Sequence, residues 1–408
     1  MINILGIEGE ITKTDKEINL AVIGCGSHSF RNIFSTLQFL PVNLVATCDI
    51  NEEKAKLYAK KFGASNYYTN YEEMLINEQI DGVITVLGFD ETGNPRYPKI
   101  VPKILKMGIP VWLEKPPAAT AKEINVMTDA MIEGGTFYQV GFKKMFMPAI
   151  QKVKEIISSP NFGEVSTYTM TYPVDLPQYS SDLLIPESRR FIDDFVHVAS
   201  TIVFLFGKPK QMVYYRQSNS GGFVNFFHRN NTIGSVHFCN GKSTIAPLEQ
   251  TEIVGLGENL VLDNNIKIKY YKKATIGSYG RTPSFIPEEG CIEEFTPEFS
   301  LGQLYNKGIF LQGYYQELLE FVSCLIENRR PKKAGYTDAT SVMEIIDSFS
   351  YPQGQIVEIG SKPVKHRITR NENHQYNCPN CSGYLILKDG WNYSCKECGR
   401  SIDYRLLS

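Results

Sequence analysis

The sequence predicts an α/β protein in which a doubly wound parallel sheet precedes an α+β domain with a mainly antiparallel, open-faced sheet. From residue 18 to about residue 139, short apolar runs alternate with amphipathic segments, as in βαβ units. After Gly141 the runs alternate residue by residue between apolar and polar, as in strands with one solvated face. Two Cys-x-x-Cys pairs near residue 390 indicate a further small unit.

The first domain is predicted from its hydrophobic periodicity and from the proline and glycine residues that end its helices. Helical spacing at 29–40, 52–62 and 99–107 ends at Pro41, Gly63 and Gly108. The apolar runs between these helices predict strands at 18–23, 43–48, 81–87 and 110–113. Their continuous apolar character suits strands that are covered on both faces.

The second domain shows strands more than helices. Strands are predicted at 165–172, 211–216, 222–227, 232–238, 249–254 and 266–271. Helices are predicted at about 190–206 and 314–327, and residues 273–312, which lack periodicity, are predicted to be a long excursion.

A glycine loop, Gly24-Cys-Gly-Ser-His-Ser29, follows the first strand and opens a helix. A dinucleotide needs a tight turn at Gly24, close backbone approach to its pyrophosphate at Gly26, and free amides around Ser27 and His28. Ser29 stands at the third glycine position, which concerns helix packing. The alternative is an ordinary βα turn, but the strand before the loop and the helix after it favour dinucleotide binding.

Asp49 ends the second predicted strand. A carboxylate there accepts hydrogen bonds from ribose hydroxyls and repels a 2′-phosphate, so NAD is favoured, with NADP left open.

Residues 111–117, Val-Trp-Leu-Glu-Lys-Pro-Pro, end a strand beside the predicted dinucleotide. Lys115 would lie close to a nicotinamide ring there, where an ammonium helps hydride chemistry at a carbinol carbon.

Together these features resemble the Gfo/Idh/MocA family of oxidoreductases over residues 18–364. The segments that carry the resemblance are Ala-Val-Ile-Gly-Cys-Gly at 21–26, Cys-Asp-Ile at 48–50, Lys-Met-Gly-Ile-Pro-Val-Trp-Leu-Glu-Lys-Pro at 106–116, Val-Gly-Phe at 140–142 and Ala-Gly-Tyr-Thr-Asp-Ala at 334–339. The resemblance implies a Rossmann domain, an open-faced α/β domain, and a homodimer or homotetramer formed through that sheet. It also implies that Lys115 is the active-site lysine and Glu114 its structural neighbour at the cofactor.

A second family signature, Asp-x-Gly-x-His, aligns with Asp193-Asp-Phe-Val-His197, where Phe195 replaces the glycine. The spacing puts Asp193 and His197 on one helix face. Histidine is the natural base near neutral pH, and a carboxylate can hold its ring or contact the substrate. A helix-surface cluster is the alternative, and Asp194 competes with Asp193 for the inward position.

Four positions are candidates for substrate contact. Tyr97 stands where many relatives carry a histidine, and Lys143 where relatives often carry asparagine or arginine. Arg190 is a candidate for binding a phosphate or carboxylate, and Asp194 lies beside the presumed base. Solvated surface side chains are the alternative for Lys143 and Arg190.

The C-terminal cysteines have the spacing of a structural zinc site. Cys378 and Cys381 form one pair and Cys395 and Cys398 the other, with thirteen residues between the pairs. Four thiolates so spaced can surround one Zn²⁺, and strands predicted at 384–387 and 391–393 favour a zinc ribbon. About thirty residues hold too little core to fold unaided, so metal should supply their stability. A redox-active dithiol pair and a rubredoxin-like iron site are the alternatives.

Composition limits the partners. A formal charge of −2 and a pI near 6.4 argue against a polyanion-binding surface, and mixed charges in the ribbon make nucleic acid an unlikely ligand. No stretch reaches the ~18 apolar residues that cross a membrane, and the N-terminus does not resemble a signal peptide. The remaining cysteines are scattered and odd in number, which favours the cytoplasm. They are Cys25, Cys48, Cys239, Cys291 and Cys324.

The predicted segments are an extension at 1–17, a dinucleotide-binding Rossmann domain at 18–140, a substrate and oligomerisation domain at 141–365, a linker at 366–375 and the zinc ribbon at 376–408. The predicted function is NAD(P)-dependent hydride transfer at a hydroxyl or ketone of a sugar, cyclitol or sugar derivative. In the oxidative direction His197 removes the hydroxyl proton while Lys115 polarises the oxygen. An imine reductase, and a non-catalytic dinucleotide sensor or scaffold that uses the ribbon to bind a protein, are the alternatives.

Overall fold

The computed structural model describes residues 18–177, 189–239, 241–243, 248–273, 292–296, 307–360, 385–389, 392–395 and 401–403. The chain divides into two compact units, Met1–Gly360 and Ser361–Ser408. The expected extension at 1–17 and linker at 366–375 lie outside the described residues.

The first sheet of the larger unit has six parallel strands in the order β3-β2-β1-β4-β5-β6. The strands are β1 (Ile18–Ile23), β2 (Val42–Cys48), β3 (Asn66–Tyr68), β4 (Gly82–Thr85), β5 (Val111–Leu113) and β6 (Tyr138–Val140). β4, β5 and β6 are buried along their whole length, because helices cover both faces of the sheet.

The helices that alternate with these strands begin and end at recognisable signals. They are a π-helical turn (Ser29–Phe34) that runs into α1 (Ser35–Leu37), α2 (Glu52–Phe62), α3 (Tyr71–Asn77), α4 (Tyr97–Lys106) and α5 (Ala121–Glu133). At the start of α2 the side chain of Asn51 accepts a hydrogen bond from the Lys54 amide, and Gly63 ends the helix in the left-handed conformation.

A late helix, α9 (Tyr314–Glu327), completes the first sheet. Leu318, Phe321 and Val322 share one buried core with the strand residues Ile84 and Trp112. The parallel sheet is therefore covered on this face by a helix that follows all but the last, two-residue strand of the second sheet in the chain.

The second sheet has nine strands in the order β14-β13-β12-β11-β7-β10-β9-β8-β15. The strands are β7 (Thr167–Tyr172), β8 (Gln211–Arg216), β9 (Gly222–Phe227), β10 (Ile233–Phe238), β11 (Gln250–Val254), β12 (Asn259–Asp263), β13 (Lys267–Tyr271), β14 (Ile292–Phe295) and β15 (Val357–Glu358). β7 and β10 pair in parallel, and the other neighbours whose register is known pair antiparallel. Burial alternates along most of these strands, so one face of the sheet packs inward and the other stays open.

The helices of this part are α6 (Pro148–Ile157), α7 (Arg189–Phe206), α8 (Lys307–Leu311) and α10 (Tyr336–Asp347), with 3₁₀ turns at Lys143–Phe146 and Ser348–Ser350. α7 packs on the buried face of the sheet, where Phe195 lies 5.5 Å from Phe238 of β10 between ring centroids. In the smaller unit β16 (Leu385–Asp389), β17 (Asn392–Cys395) and β18 (Ser401–Asp403) form an antiparallel sheet.

The predicted fold class is confirmed: a parallel, Rossmann-type sheet is followed by a mainly antiparallel one. All six strands predicted in the second domain are present, with ends within two residues of the prediction. The prediction missed the short elements β3, β12 and α3 and also the longer helices α5 and α6. The expected excursion at 273–312 contains β14 and α8.

Among the described helices, none combines the length and the apolar character that a membrane crossing requires.

Candidate active site

The glycine loop begins where β1 ends, and its two glycines occupy different environments. Gly24 has a φ of +105°, and a Cβ there would lie 2.1 Å from the carbonyl oxygen of Val86. Only glycine fits such a turn. At Gly26 an added Cβ would meet nothing within 4 Å, so the backbone borders open space. Ser29, at the third glycine position, donates from its hydroxyl to the Gly24 carbonyl over 2.6 Å.

Asp49 ties the end of β2 to this loop. Its Oδ2 accepts a hydrogen bond from the Cys25 amide at 2.8 Å, and its Oδ1 accepts one from the Asn51 amide at 2.9 Å. Each carboxylate oxygen keeps a further lone pair. Open space at Gly26 and an anchored carboxylate at Asp49 fit a dinucleotide whose pyrophosphate passes the loop and whose ribose meets Asp49.

Glu114 is buried between the glycine loop and the end of β5. Its Oε1 lies 2.7 Å from Nε2 of His28, and its Oε2 accepts a hydrogen bond from the Lys115 amide at 2.5 Å. A Cβ at Gly141 would lie 2.5 Å from this Oε2, so the glycine of the Val-Gly-Phe segment makes room for the carboxylate. The structure thus brings two predicted cofactor residues, His28 and Glu114, into close polar contact.

The ammonium group of Lys115 joins the segment after β5 to helix α7. Its Nζ donates hydrogen bonds to Oδ1 of Asp193 at 2.8 Å and to the Asp193 carbonyl at 3.1 Å. Lys115 follows β5, whereas Asp193 lies in the first turns of α7. The side chain of Lys115 is 16% exposed, so the contact sits in a recess rather than on the surface.

His197 lies one helical turn beyond Asp193 on α7. Its ring is only partly accessible, with Nδ1 enclosed and without a hydrogen-bond partner among the described residues. Burial lowers the pKa of His197 well below its usual value near 6.5, and the positive charges of Lys115, Lys144 and Lys143 lower it further. The imidazole is therefore neutral near pH 7 and can accept a proton.

Phe195 explains the departure from the Asp-x-Gly-x-His signature. Its ring is fully buried and stacks on Phe191 with centroids 5.0 Å apart, while Phe349 lies 5.1 Å away. Where the family pattern has glycine, this chain fills the space under α7 with an aromatic core residue.

Among the candidate substrate residues, Tyr97 is in the wall of the site. It is buried, and its hydroxyl donates to the Leu87 carbonyl at 3.1 Å and accepts from the Leu87 amide at 3.0 Å. With the hydroxyl so engaged, this geometry favours a structural role over the predicted substrate contact.

Arg190 and Asp194 lie together at the start of α7. Nε of Arg190 is 3.8 Å from Oδ2 of Asp194, and the arginine side chain is 84% exposed. Burial, and the charge of Asp193, raise the pKa of Asp194. The carboxylate that contacts Lys115 is that of Asp193.

The structure shows two further buried charged side chains: Lys144, which follows Lys143 in the chain, and Glu317, which the sequence reasoning missed. Lys144 is buried, with its Nζ 2.5 Å from Oε2 of Glu249 and 4.5 Å from the centre of the Tyr172 ring. Glu317 of α9 is fully buried, and its carboxylate has no hydrogen-bond partner in the described structure. Burial and the nearby charge of Glu114 raise the pKa of Glu317. A carboxylate on the inward face of an apolar helix was the available signal for Glu317.

The predicted metal ligands cannot be placed in the same way. Cys378, Cys381 and Cys398 lie outside the described residues, as does the side chain of Cys395. Elsewhere, across the ranges that the structure describes, no group of three or more histidine, cysteine, aspartate or glutamate side chains could hold a metal ion.

Comparison with known proteins agrees with the geometry. Residues 18–142 match the Gfo/Idh/MocA model, described as an oxidoreductase family with an NAD-binding Rossmann fold. The match lies in the N-terminal third of the chain, where the structure has its parallel sheet.

Two relatives are sugar or cyclitol dehydrogenases by name. D-apiose dehydrogenase of Paraburkholderia graminis is 28% identical over 203 residues, which cover 48% of this chain and 52% of that protein. The scyllo-inositol 2-dehydrogenase (NAD(+)) of Bacillus subtilis is 23% identical over 47% of this chain and 55% of that protein. The chain spans about half the length of these curated relatives.

A solved oxidoreductase from Agrobacterium radiobacter, in complex with NAD+, L-tartaric acid and magnesium, superposes with a TM-score of 0.68. The match covers 85% of this chain and 99% of that one at 14% identity, so it supports the fold of both domains.

Proposed function

We propose that this chain is an NAD(P)-dependent oxidoreductase that transfers a hydride to or from a hydroxyl-bearing carbon of a sugar, cyclitol or sugar derivative. The observation that carries the proposal is the contact of Lys115 with Asp193, which brings the ammonium group to the helix of His197. The names of the apiose and inositol dehydrogenases support the substrate class.

Each side chain has a defined role in this proposal. The cofactor, when bound, supplies the hydride acceptor. The neutral imidazole of His197 takes the proton of the substrate hydroxyl. The ammonium of Lys115 donates a hydrogen bond to the same oxygen and stabilises negative charge that develops on it. Asp193 holds that ammonium in place through its carboxylate and its carbonyl.

The direct test replaces Lys115→Met and His197→Ala. Each variant should lose turnover about 10²- to 10⁴-fold, because each removes a group that acts on the reacting oxygen. NADH formation from a panel of sugars and cyclitols measures turnover, and quenching of protein fluorescence measures NAD binding, which should persist.

The matched control is Lys106→Met, which removes an exposed lysine that pairs with Glu133 on the surface. Lys115→Met and His197→Ala variants that both turned over as fast as this control would refute the assignment.

For the cofactor, we propose NAD rather than NADP. Asp49 ends β2, is fixed by two amides, and pairs with no cation in the described part of the chain. Its charge would repel a 2′-phosphate. The ratio of kcat/KM for NAD to that for NADP should fall in Asp49→Ser; an unchanged ratio would remove Asp49 from this role.

We also propose a structural zinc ion bound by Cys378, Cys381, Cys395 and Cys398 in residues 376–408. The spacing of the cysteines and the three-stranded sheet of β16, β17 and β18 support it. Elemental analysis of the purified chain should find about one zinc per chain, lost in a Cys378→Ser, Cys395→Ser variant. Iron in place of zinc, or no metal at all, would contradict the proposal. Docking of a partner protein is the function that we propose for this ribbon.

For assembly, we propose a homodimer or homotetramer formed through the open face of the second sheet. Tyr215 and Phe223, which are 58% and 51% exposed, form a row with His237 on that face. Sedimentation should show a multimer that Phe223→Glu dissociates, and a wild-type monomer at micromolar concentration would count against it.

The buried free thiols of Cys25, Cys48, Cys239 and Cys324 support a reducing, cytoplasmic setting.

A further inference from the structure

Lys143 differs from the other cations around the site because it lacks a carboxylate partner. Lys115 pairs with Asp193 at 2.8 Å and Lys144 with Glu249 at 2.5 Å. Arg190 lies 3.8 Å from Asp194. Within the described ranges, no carboxylate oxygen comes within 4 Å of Nζ of Lys143. Among these cations Lys143 is therefore the one without an ion pair in the described residues, although the charges of Glu114 and Glu317 act on it from farther away.

Neutral groups hold the Lys143 ammonium in place. Its Nζ donates to Oε1 of Gln312 at 3.0 Å and to the Tyr314 hydroxyl at 3.2 Å, and it lies 4.7 Å from the centre of the Tyr314 ring. An ammonium has three N–H groups, so one remains for another acceptor. Lys143 is only partly buried, yet burial lowers its pKa. An incoming anion would relieve that unfavourable burial of charge.

The position of Lys143 places this free donor between the cofactor loop and the catalytic helix. Its 3₁₀ turn, Lys143–Phe146, packs against both α7 and α9. Tyr314, which holds the ammonium, lies edge-to-face with the ring of His28 on the glycine loop, with centroids 5.8 Å apart. The positive charge of Lys143 also acts on His197, since it contributes to the low pKa of that imidazole.

Resting on the function proposed above, we infer that Lys143 binds a carboxylate of the substrate, which is therefore a sugar acid of the aldonate or uronate class. A single cation without an ion pair, with one N–H group left to donate, matches a monoanion. A phosphate monoester carries up to two charges near pH 7 and would call for a second unpaired cation. In this assignment Lys143 is a specificity-determining residue, and the exposed Arg190 is not needed for the anion.

The test measures binding, so it does not depend on turnover. Calorimetric titration of the NAD-bound protein uses D-gluconate and D-glucuronate, with the uncharged D-glucitol and D-glucose as counterparts. The acids should bind more tightly to the wild-type protein. Lys143→Met should weaken acid binding about 10- to 100-fold while leaving the neutral compounds within about threefold. Lys143→Arg keeps the charge and should retain most of the acid affinity. Lys106→Met, the surface control, should change neither.

Four outcomes would overturn the inference. In Lys143→Met, the first is an equal loss of affinity for acids and neutral compounds, and the second is a weaker affinity for NAD itself. In the wild-type protein, the third is that no acid binds more tightly than its neutral counterpart, and the fourth is that D-glucose 6-phosphate binds more tightly than D-glucuronate. The second outcome would make Lys143 a cofactor contact. Failure of hydride transfer would show only in the turnover assay, so the two proposals fail separately.

Discussion

At the scale of single residues, Gly24 and Gly26 show how the same residue type meets two different needs. The left-handed φ and the nearby Val86 carbonyl make Gly24 a requirement of the fold. Gly26 has free space around it, so any requirement for glycine there comes from the ligand.

This difference predicts opposite phenotypes for two alanine substitutions. Gly24→Ala should lower the free energy of unfolding by about 2–4 kcal/mol, from backbone strain and a steric clash. Gly26→Ala should leave that free energy within about 0.5 kcal/mol. It should nevertheless weaken NAD binding about tenfold or more, because its methyl group occupies the path of the pyrophosphate.

Urea unfolding and NAD titration together measure both effects. A Gly26→Ala variant that binds NAD as the wild type does would show that the cofactor does not approach this part of the loop.

His197 predicts a pH dependence of the oxidation. The reaction needs the neutral imidazole, and burial together with the nearby lysine charges holds the pKa of His197 well below 6.5. As pH falls, kcat/KM for oxidation should therefore stay level through pH 6.5 and decline only below it.

A pH–rate profile measures this decline of kcat/KM at acid pH, and His197→Ala should abolish the decline along with most of the activity. An acid limb centred at or above pH 6.5 would contradict the electrostatics described for the site.

Sequence reasoning could propose roles for some residues and could not foresee the contacts of others, for a physical reason. Lys115 and His197 lie in local motifs, so their chemistry could be inferred from neighbours in the chain. The partners of Lys143, namely Gln312 and Tyr314, come from a distant helix. Such pairings exist only after α9 has packed on the first sheet.

At the scale of elements, α9 and β12 show what local sequence determines. α9 begins after Gly313 and ends before Asn328, both in the left-handed conformation, and its predicted bounds are the observed ones. β12 has only five residues, and its identity depends on pairing with β11 and β13 on either side. A strand that forms mainly because its neighbouring strands pair with it is only weakly predicted by its own residues.

Phe195 packs α7 against the second sheet, so its loss should destabilise the position of this helix. Phe195→Ala removes a fully buried ring from contact with Phe191, Phe238 and Phe349, which should cost about 3–5 kcal/mol of stability.

Since Asp193 and His197 flank this anchor on the same helix, the variant should also lose turnover when assayed well below its unfolding temperature. Thermal and urea unfolding give the stability. A cost below about 1 kcal/mol would mean that α7 is held mainly by other contacts.

At the scale of the whole molecule, the first sheet depends on a helix from the far side of the second. The buried core shared by Ile84, Trp112, Leu318 and Phe321 shows that residues 18–142 cover this face of their own sheet only in part. The fragment 18–142 alone should therefore fold poorly, bind a hydrophobic dye and fail to bind NAD.

A chain that ends at residue 360 keeps α9 and is the matched control, which should unfold cooperatively and bind NAD. Cooperative unfolding of the short fragment, measured by circular dichroism, would show that α9 is dispensable for the sheet.

The position of α9 in the chain also bears on how the protein is made. A ribosome releases the six parallel strands first and delivers α9 only after eight of the nine strands of the second sheet have been translated. During that interval one apolar face of the nascent sheet is only partly covered, which is the state that chaperones recognise and that aggregates when synthesis stalls. Slow translation between the two sheets should thus lower the yield of native protein even though no residue of the finished molecule has changed.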